Sequence, residues 1–273
     1  MCIIRQQMKK VILIIIFTFT LFVLYVFVQK VHKYYFPNKQ MTAYQTAHHN
    51  DDTLRIAYIG DSWAYIHQQQ KQCQIPQMIE EQAQRPTNIY SYGLSGRTSN
   101  EIYEALFADN HLKKLFSEQG ADVCFISAGI NDVNKKLSSE YYQESMDNII
   151  RFMLTNDIRP IILEIPDYDI YKAYRGLKMS SKLLRKISMA INSVPMDCKQ
   201  TYRDALDSLV KKKGYQNKVS IIRYKTWNYD YPEDQDRLYL KDGVHLNDYG
   251  YSVLDSVIAK EIIKHIEGYD HRN

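Results

Sequence analysis

The sequence predicts an α/β fold, a three-layer α/β/α sandwich around a five-stranded, mainly parallel sheet. Three observations predict it. Apolar runs of strand length alternate with longer stretches of helical period, the pattern of a parallel sheet covered on both faces. Several of these runs end in a glycine-containing polar turn, and ligands bind at that edge of open α/β sheets. The length of 273 residues allows one sizeable core plus an appendage.

The expected strands are Leu54 to Ile59, Asn88 to Ser91, Val123 to Ser127, Pro160 to Ile165 and Val219 to Tyr224. Helices are expected at about 64–84, 99–118, 138–156 and 248–267, with a broken helical stretch over 170–213. Residues 166–214 exceed the needs of one crossover. Ile170, Tyr174, Leu177, Leu183, Leu184, Ile187 and Ile191 fall at helical spacing there, interleaved with Lys172, Arg175, Lys178, Lys182, Arg185 and Lys186. Two packed helices with a solvated basic face are expected, either covering the site or facing anionic glycans or headgroups.

Before the domain, residues 11–28 carry no charge and are long enough to cross a bilayer. The run is apolar all round and bounded by basic residues, which disfavours a buried helix. The residues after Val28 show no small-residue cleavage pattern, so an uncleaved signal anchor is expected. Arg5, Lys9 and Lys10 are balanced by Lys30, Lys33 and Lys39, and the amino terminus tips the count. A cytoplasmic tail (1–10), a tether (29–52) and an extracytoplasmic domain (53–273) follow as expectations.

Composition narrows the function. With 45% hydrophobic and 24% charged residues the chain is an ordinary globular protein. The net charge is +4 with scattered Lys and Arg, which argues against nucleic-acid binding. Cys2, Cys73, Cys124 and Cys198 show no metal spacing, and a Cys73–Cys198 bridge would require proximity that sequence does not supply. His48, His49, Asp51 and Asp52 read as polar linker, and neither metal nor cofactor is assigned. The 23 tyrosines suit half-buried surfaces.

Four polar blocks carry the chemistry: Gly60-Asp61-Ser62-Trp63, Gly93-Leu94-Ser95-Gly96-Arg97-Thr98, Gly129-Ile130-Asn131-Asp132 and Asp242-Gly243-Val244-His245. A serine nucleophile needs a base, the base an orienting carboxylate, and the oxyanion prepositioned donors. In this order the blocks resemble those of the SGNH hydrolases, the GDSL esterase and lipase superfamily, whose fold is flavodoxin-like. The resemblance implies Ser62 as nucleophile, His245 as base and Asp242 as its support. It also implies an oxyanion hole of Ser62 N–H, Gly96 N–H and the Asn131 amide, with Gly96 leaving no Cβ in the way. Asp61 would hold the turn. His67 would be a surface group on the first helix.

Three positions depart from the family pattern. Trp63 replaces a leucine and either wedges the first helix or lines an acyl pocket. Arg97 either pairs with an internal acid or meets a substrate carboxylate, and Leu246 stands where proline is common. Trp227, Tyr229 and Tyr231 either stack on sugar rings or pack. The reading is a membrane-anchored esterase removing a small acyl group, acetyl above all, from a carbohydrate hydroxyl. An O-acyltransferase, a lipase or lysophospholipase, and a noncatalytic glycan-binding domain are the alternatives. Oligomeric state is left open.

Overall fold

The structure is a computed structural model that describes residues 2–35, 43–69, 73–228, 231 and 233–270. It divides into two units, residues 1–37 and 38–273. The first contains helix α1 (Cys2–Tyr35). Within it Gln7–Phe27, 21 residues at mean hydropathy 2.6, is long and apolar enough to cross a membrane.

In the second unit β1 (Leu54–Gly60) leads into α2 (Ser62–Gln68), α3 (Ile75–Ala83) and β2 (Thr87–Gly93). Then come α4 (Ser99–Ala108), α5 (Asn110–Lys114), a π-helical turn over Leu115–Gln119, and β3 (Val123–Ser127). Next are α6 (Ile130–Lys135), α7 (Ser139–Thr155), β4 (Arg159–Leu163), α8 (Ile170–Arg175), α9 (Met179–Asn192) and α10 (Lys199–Lys212). The chain finishes with β5 (Ser220–Ile222), α11 (Glu233–Leu238) and α12 (Asp248–Asp270).

The five strands are parallel in the order β2-β1-β3-β4-β5. The central strands are apolar on both faces, because helices cover both sides. On one side α2 and α3 pack on β2, and α12 packs on α3 and β5; α4, α7 and α10 form the other layer. Tyr58, Tyr142, Tyr168, Tyr202 and Tyr251 are fully buried, so several of the tyrosines are core residues. Register aligns Gly60 with Gly93 on one side and Ser127 on the other, which brings three polar blocks to one sheet edge.

Four expectations need correction. The helix expected at 64–84 is two, because Pro76 lacks an N–H and suits the first turn of a new helix better than the middle of an old one. The helix expected at 99–118 breaks at Asp109, whose carboxylate accepts from His111 and Leu112 N–H and starts α5. Residues 166–214 hold three helices, with Pro195 in the turn between α9 and α10. The tether ends before residue 52: Tyr44 packs its ring on Phe107 and Phe152 at 5.8 and 5.5 Å, and Ala47 N–H donates to the Phe116 carbonyl at 2.8 Å. An aromatic ring has more to gain from that apolar surface than from water. Tether residues 36–42 and Tyr229 lie outside the described residues.

Candidate active site

Ser62 opens α2 directly beyond the buried end of β1. Asp61 caps the helix, its Oδ1 accepting from Trp63 N–H at 3.0 Å. The Asp61 and Leu94 amides donate to the carbonyls of Ser127 and Gly60 at 3.0 and 2.8 Å, tying the three strand ends together. Gly93 is required by close approach: a Cβ there would lie 1.8 Å from Tyr65 N in α2.

His245 arrives from the other end of the chain. Its loop is held by an antiparallel bridge between Tyr239 and Leu246, and Leu240 N–H donates to the His245 carbonyl at 2.7 Å. Asp242 Oδ1 accepts from the backbone N–H groups of Val244 and His245 at 2.9 and 3.0 Å. Its Oδ2 lies 2.6 Å from His245 Nδ1, and His245 Nε2 lies 2.9 Å from Ser62 Oγ. A carboxylate only accepts, so Nδ1 carries a proton and Nε2 is the nitrogen turned to the serine hydroxyl. Burial raises the Asp242 carboxyl, but the bonds from His245 and Val244 outweigh it and hold the group below its ordinary range.

Gly96 and Asn131 stand on the two neighbouring loops. Asn131 Nδ2 donates to the Arg97 carbonyl at 3.0 Å, and Lys135 Nζ donates to the Gly96 carbonyl at 2.9 Å. The backbone gives a further reason for glycine at 96. Its φ is +74°, a conformation that L side chains rarely adopt, and a Cβ there would meet no protein atom within 4 Å. Glu101 caps α4 with Thr98 in a reciprocal box and pairs with both Lys135 (3.2 Å) and Arg97 (3.3 Å). Arg97 therefore has the acidic partner expected for it, while its side chain stays 56% exposed.

The expectation that Trp63 and Trp227 meet substrate is corrected by burial. Trp63 is fully enclosed, donates from Nε1 to the Val244 carbonyl at 3.2 Å, and stacks edge-on against Trp227 at 5.9 Å. Trp227 is itself 3% exposed. The wedge reading of Trp63 describes what the ring does: it props the His245 loop on the first helix. Tyr231 packs edge-on against Tyr239 at 5.7 Å.

His67 is also corrected, since it is buried. Nε2 meets Asp255 Oδ1 at 2.8 Å, Nδ1 meets Ser91 Oγ at 3.0 Å, and Asp255 Oδ2 accepts from Gln74 N–H at 2.9 Å. The pair latches α2 to α12. A helical period places His67 one turn below the apolar Trp63, but only tertiary structure puts α12 opposite it. With Cys73 this pair forms a His/Cys/Asp group among the described residues, yet its imidazole and carboxylate are satisfied by each other and by neighbouring donors. Cys73, Cys124 and Cys198 are free thiols, so no Cys73–Cys198 bridge forms.

Asp132, which sequence reasoning left unassigned, accepts from Ser99 N–H at 2.9 Å and Ser99 Oγ at 2.6 Å. It thereby fixes the Asn131 block to the start of α4. Burial pushes its carboxyl up to about 6, against the pull of the Ser99 bonds. Asp61 is pushed to about 7 by burial, with the Asp132 charge adding to it. Asp61 Oδ2 has no partner among the described residues.

The profile of the GDSL-like Lipase/Acylhydrolase family matches residues 58–253. The chain is similar in structure to a lipase/acylhydrolase from Enterococcus faecalis, at 17% identity over 78% of this chain and 96% of that one, TM-score 0.52. An acetyl xylan esterase is similar at 17% identity over 77% of this chain and 100% of that one, TM-score 0.52. A family 3 carbohydrate esterase of Clostridium thermocellum is similar at 16% identity over 78% and 98%, TM-score 0.52. At such identities the likeness is one of fold. Comparison with curated proteins gives no match.

Proposed function

Since the chain belongs to the GDSL-like lipase and acylhydrolase family of ester hydrolases, we propose that Ser62 is the nucleophile of an esterase releasing a small acyl group from a carbohydrate hydroxyl. The observation that carries this is the hydrogen-bonded chain from Asp242 Oδ2 through His245 to Ser62 Oγ, at 2.6 and 2.9 Å. Ser62 Oγ attacks the ester carbonyl carbon while His245 Nε2 takes the hydroxyl proton. Asp242 keeps the imidazole in the required tautomer and stabilises the imidazolium. The Ser62 and Gly96 amides and the second Asn131 amide hydrogen receive the oxyanion. His245 then returns its proton to the leaving oxygen, and water releases the acyl group by the reverse route.

A small acyl group is supported by Trp63, Trp227 and Tyr239, which fill the space beneath the His245 loop with packed rings. Carbohydrate is supported by two similar structures, an acetyl xylan esterase and a carbohydrate esterase. The apolar helix supports membrane anchoring, and the charges flanking it, with the amino terminus tipping the count, support an extracytoplasmic domain.

A fluorophosphonate probe tests the chemistry. Labelling of the parent, lost in Ser62→Ala, is expected; unchanged labelling of that variant sinks the assignment. Aryl acetate turnover with and without oligosaccharide then separates hydrolysis from transfer, because acylated sugar formed in preference to free acetate identifies a transferase.

A further inference from the structure

Helix α9 is inside out. Its polar side faces the protein: Ser188 Oγ and Asn192 Nδ2 both donate to the carbonyl of Lys136, at 3.0 and 2.7 Å. No residue of the helix is buried. The apolar side faces outward, with Met179 80%, Leu183 58%, Leu184 57% and Ile191 50% exposed. Ile187 continues the same stripe. At 100° per residue these side chains share one continuous face, so they form a single patch and not scattered exposures.

Charge defines the partner. From Ile170 to Met196 the chain has six basic residues (Lys172, Arg175, Lys178, Lys182, Arg185, Lys186) and no acidic one. The whole chain carries +4, so everything outside this segment sums to −2. Two copies joined through α9 would set these cations against each other. An anionic bilayer surface satisfies both features, receiving the apolar stripe at the acyl boundary while the lysines reach up to headgroups.

We propose that α9 docks in the plane of an anionic membrane, as a second attachment of a chain already anchored through residues 11–28. The inference rests on that anchored reading and is independent of the catalytic one. Docking would also set the site's orientation. Asp169, which caps α8, donates its N–H to the Gly243 carbonyl at 3.1 Å, so the segment leading to α9 is joined to the loop bearing Asp242 and His245.

The test uses the full chain with Leu184→Trp, reconstituted in vesicles of phosphatidylcholine or an equimolar mixture with phosphatidylglycerol, with or without brominated acyl chains. Trp63 and Trp227 are buried, which keeps the native background constant. Co-flotation with the vesicles checks the anchor, and fluorophosphonate labelling at Ser62 checks the active site, each separately. In the anionic vesicles bromine is expected to remove roughly half of the added emission, as for a side chain at the acyl boundary. Adding Lys182→Glu and Lys186→Glu should abolish most of that loss. Emission insensitive to bromine overturns the proposal, and quenching equal in both lipids overturns its anionic part. Bromine-insensitive emission that shifts to the blue with protein density would give the face to a second copy.

Discussion

A serine hydroxyl attacks an ester only when a base takes its proton as the new bond forms. On the proposed mechanism His245 is that base, and Asp242 secures it by fixing its tautomer. Asp242→Asn would present an amide hydrogen to Nδ1, move the ring proton to Nε2 and leave Ser62 without an acceptor. Because Asp242 is 47% exposed, water can partly replace it, and turnover should fall on the order of 100- to 1000-fold, less than in a buried triad. Labelling kinetics of Ser62 check this. Asn131→Ala removes one oxyanion donor and should lower kcat roughly 100- to 1000-fold with little change in thermal midpoint. Stability is spared because Asn131 is only partly buried, and the loop keeps its anchorage through Asp132 and Lys135.

Among the elements, α2 and α12 show how far sequence carries and where it stops. Ser62, Asp242 and His245 were legible because each lies in a short block whose internal spacing sets its local geometry. His67 was not. Its partners Ser91 and Asp255 are 24 and 188 residues away, and no local period encodes such a meeting. The strands and long helices were legible from apolar periodicity, but breaks at Asp109 and Pro76 depend on capping and ring sterics. Trp63 and Trp227 illustrate a third limit, since an aromatic residue beside a nucleophile reads alike as lining or as core. For the latch, His67→Ala leaves the Asp255 carboxylate buried and without its imidazole partner, held by Gln74 N–H and the Cys73 thiol. A loss of about 3 kcal/mol is expected, or roughly 6–12 °C in thermal midpoint, while kcat of the folded protein stays unchanged. Calorimetry with active-site titration separates the two.

For the whole molecule, two buried acids behind the site tie stability to pH. Asp61 and Asp132 are raised to about 7 and about 6, whereas in an unfolded chain such groups ionise near pH 4. Between those values the folded protein holds more protons than the unfolded one. Their contribution is thus complete at low pH and is lost as pH rises through about 6 to 7. Asp61→Asn keeps the acceptor for Trp63 N–H and cannot ionise. Its thermal midpoint should gain on the parent's as pH rises from about 5 to 8; parallel curves would show that Asp61 is ionised throughout. At this scale too, an uncleaved anchor predicts that the full-length chain stays with the membrane after alkaline washing.

The hydrogen bond between Ser62 and His245 spans 183 residues, and α12 completes its setting through Tyr251 on the Trp63 carbonyl and Asp255 on His67. The proposed nucleophile and base are therefore synthesised far apart in time. A nascent chain that has released α2 but not α12 holds Ser62 without His245 in place, so on the proposed mechanism hydrolytic competence waits for α12. The growing enzyme passes any ester it meets without acting on it.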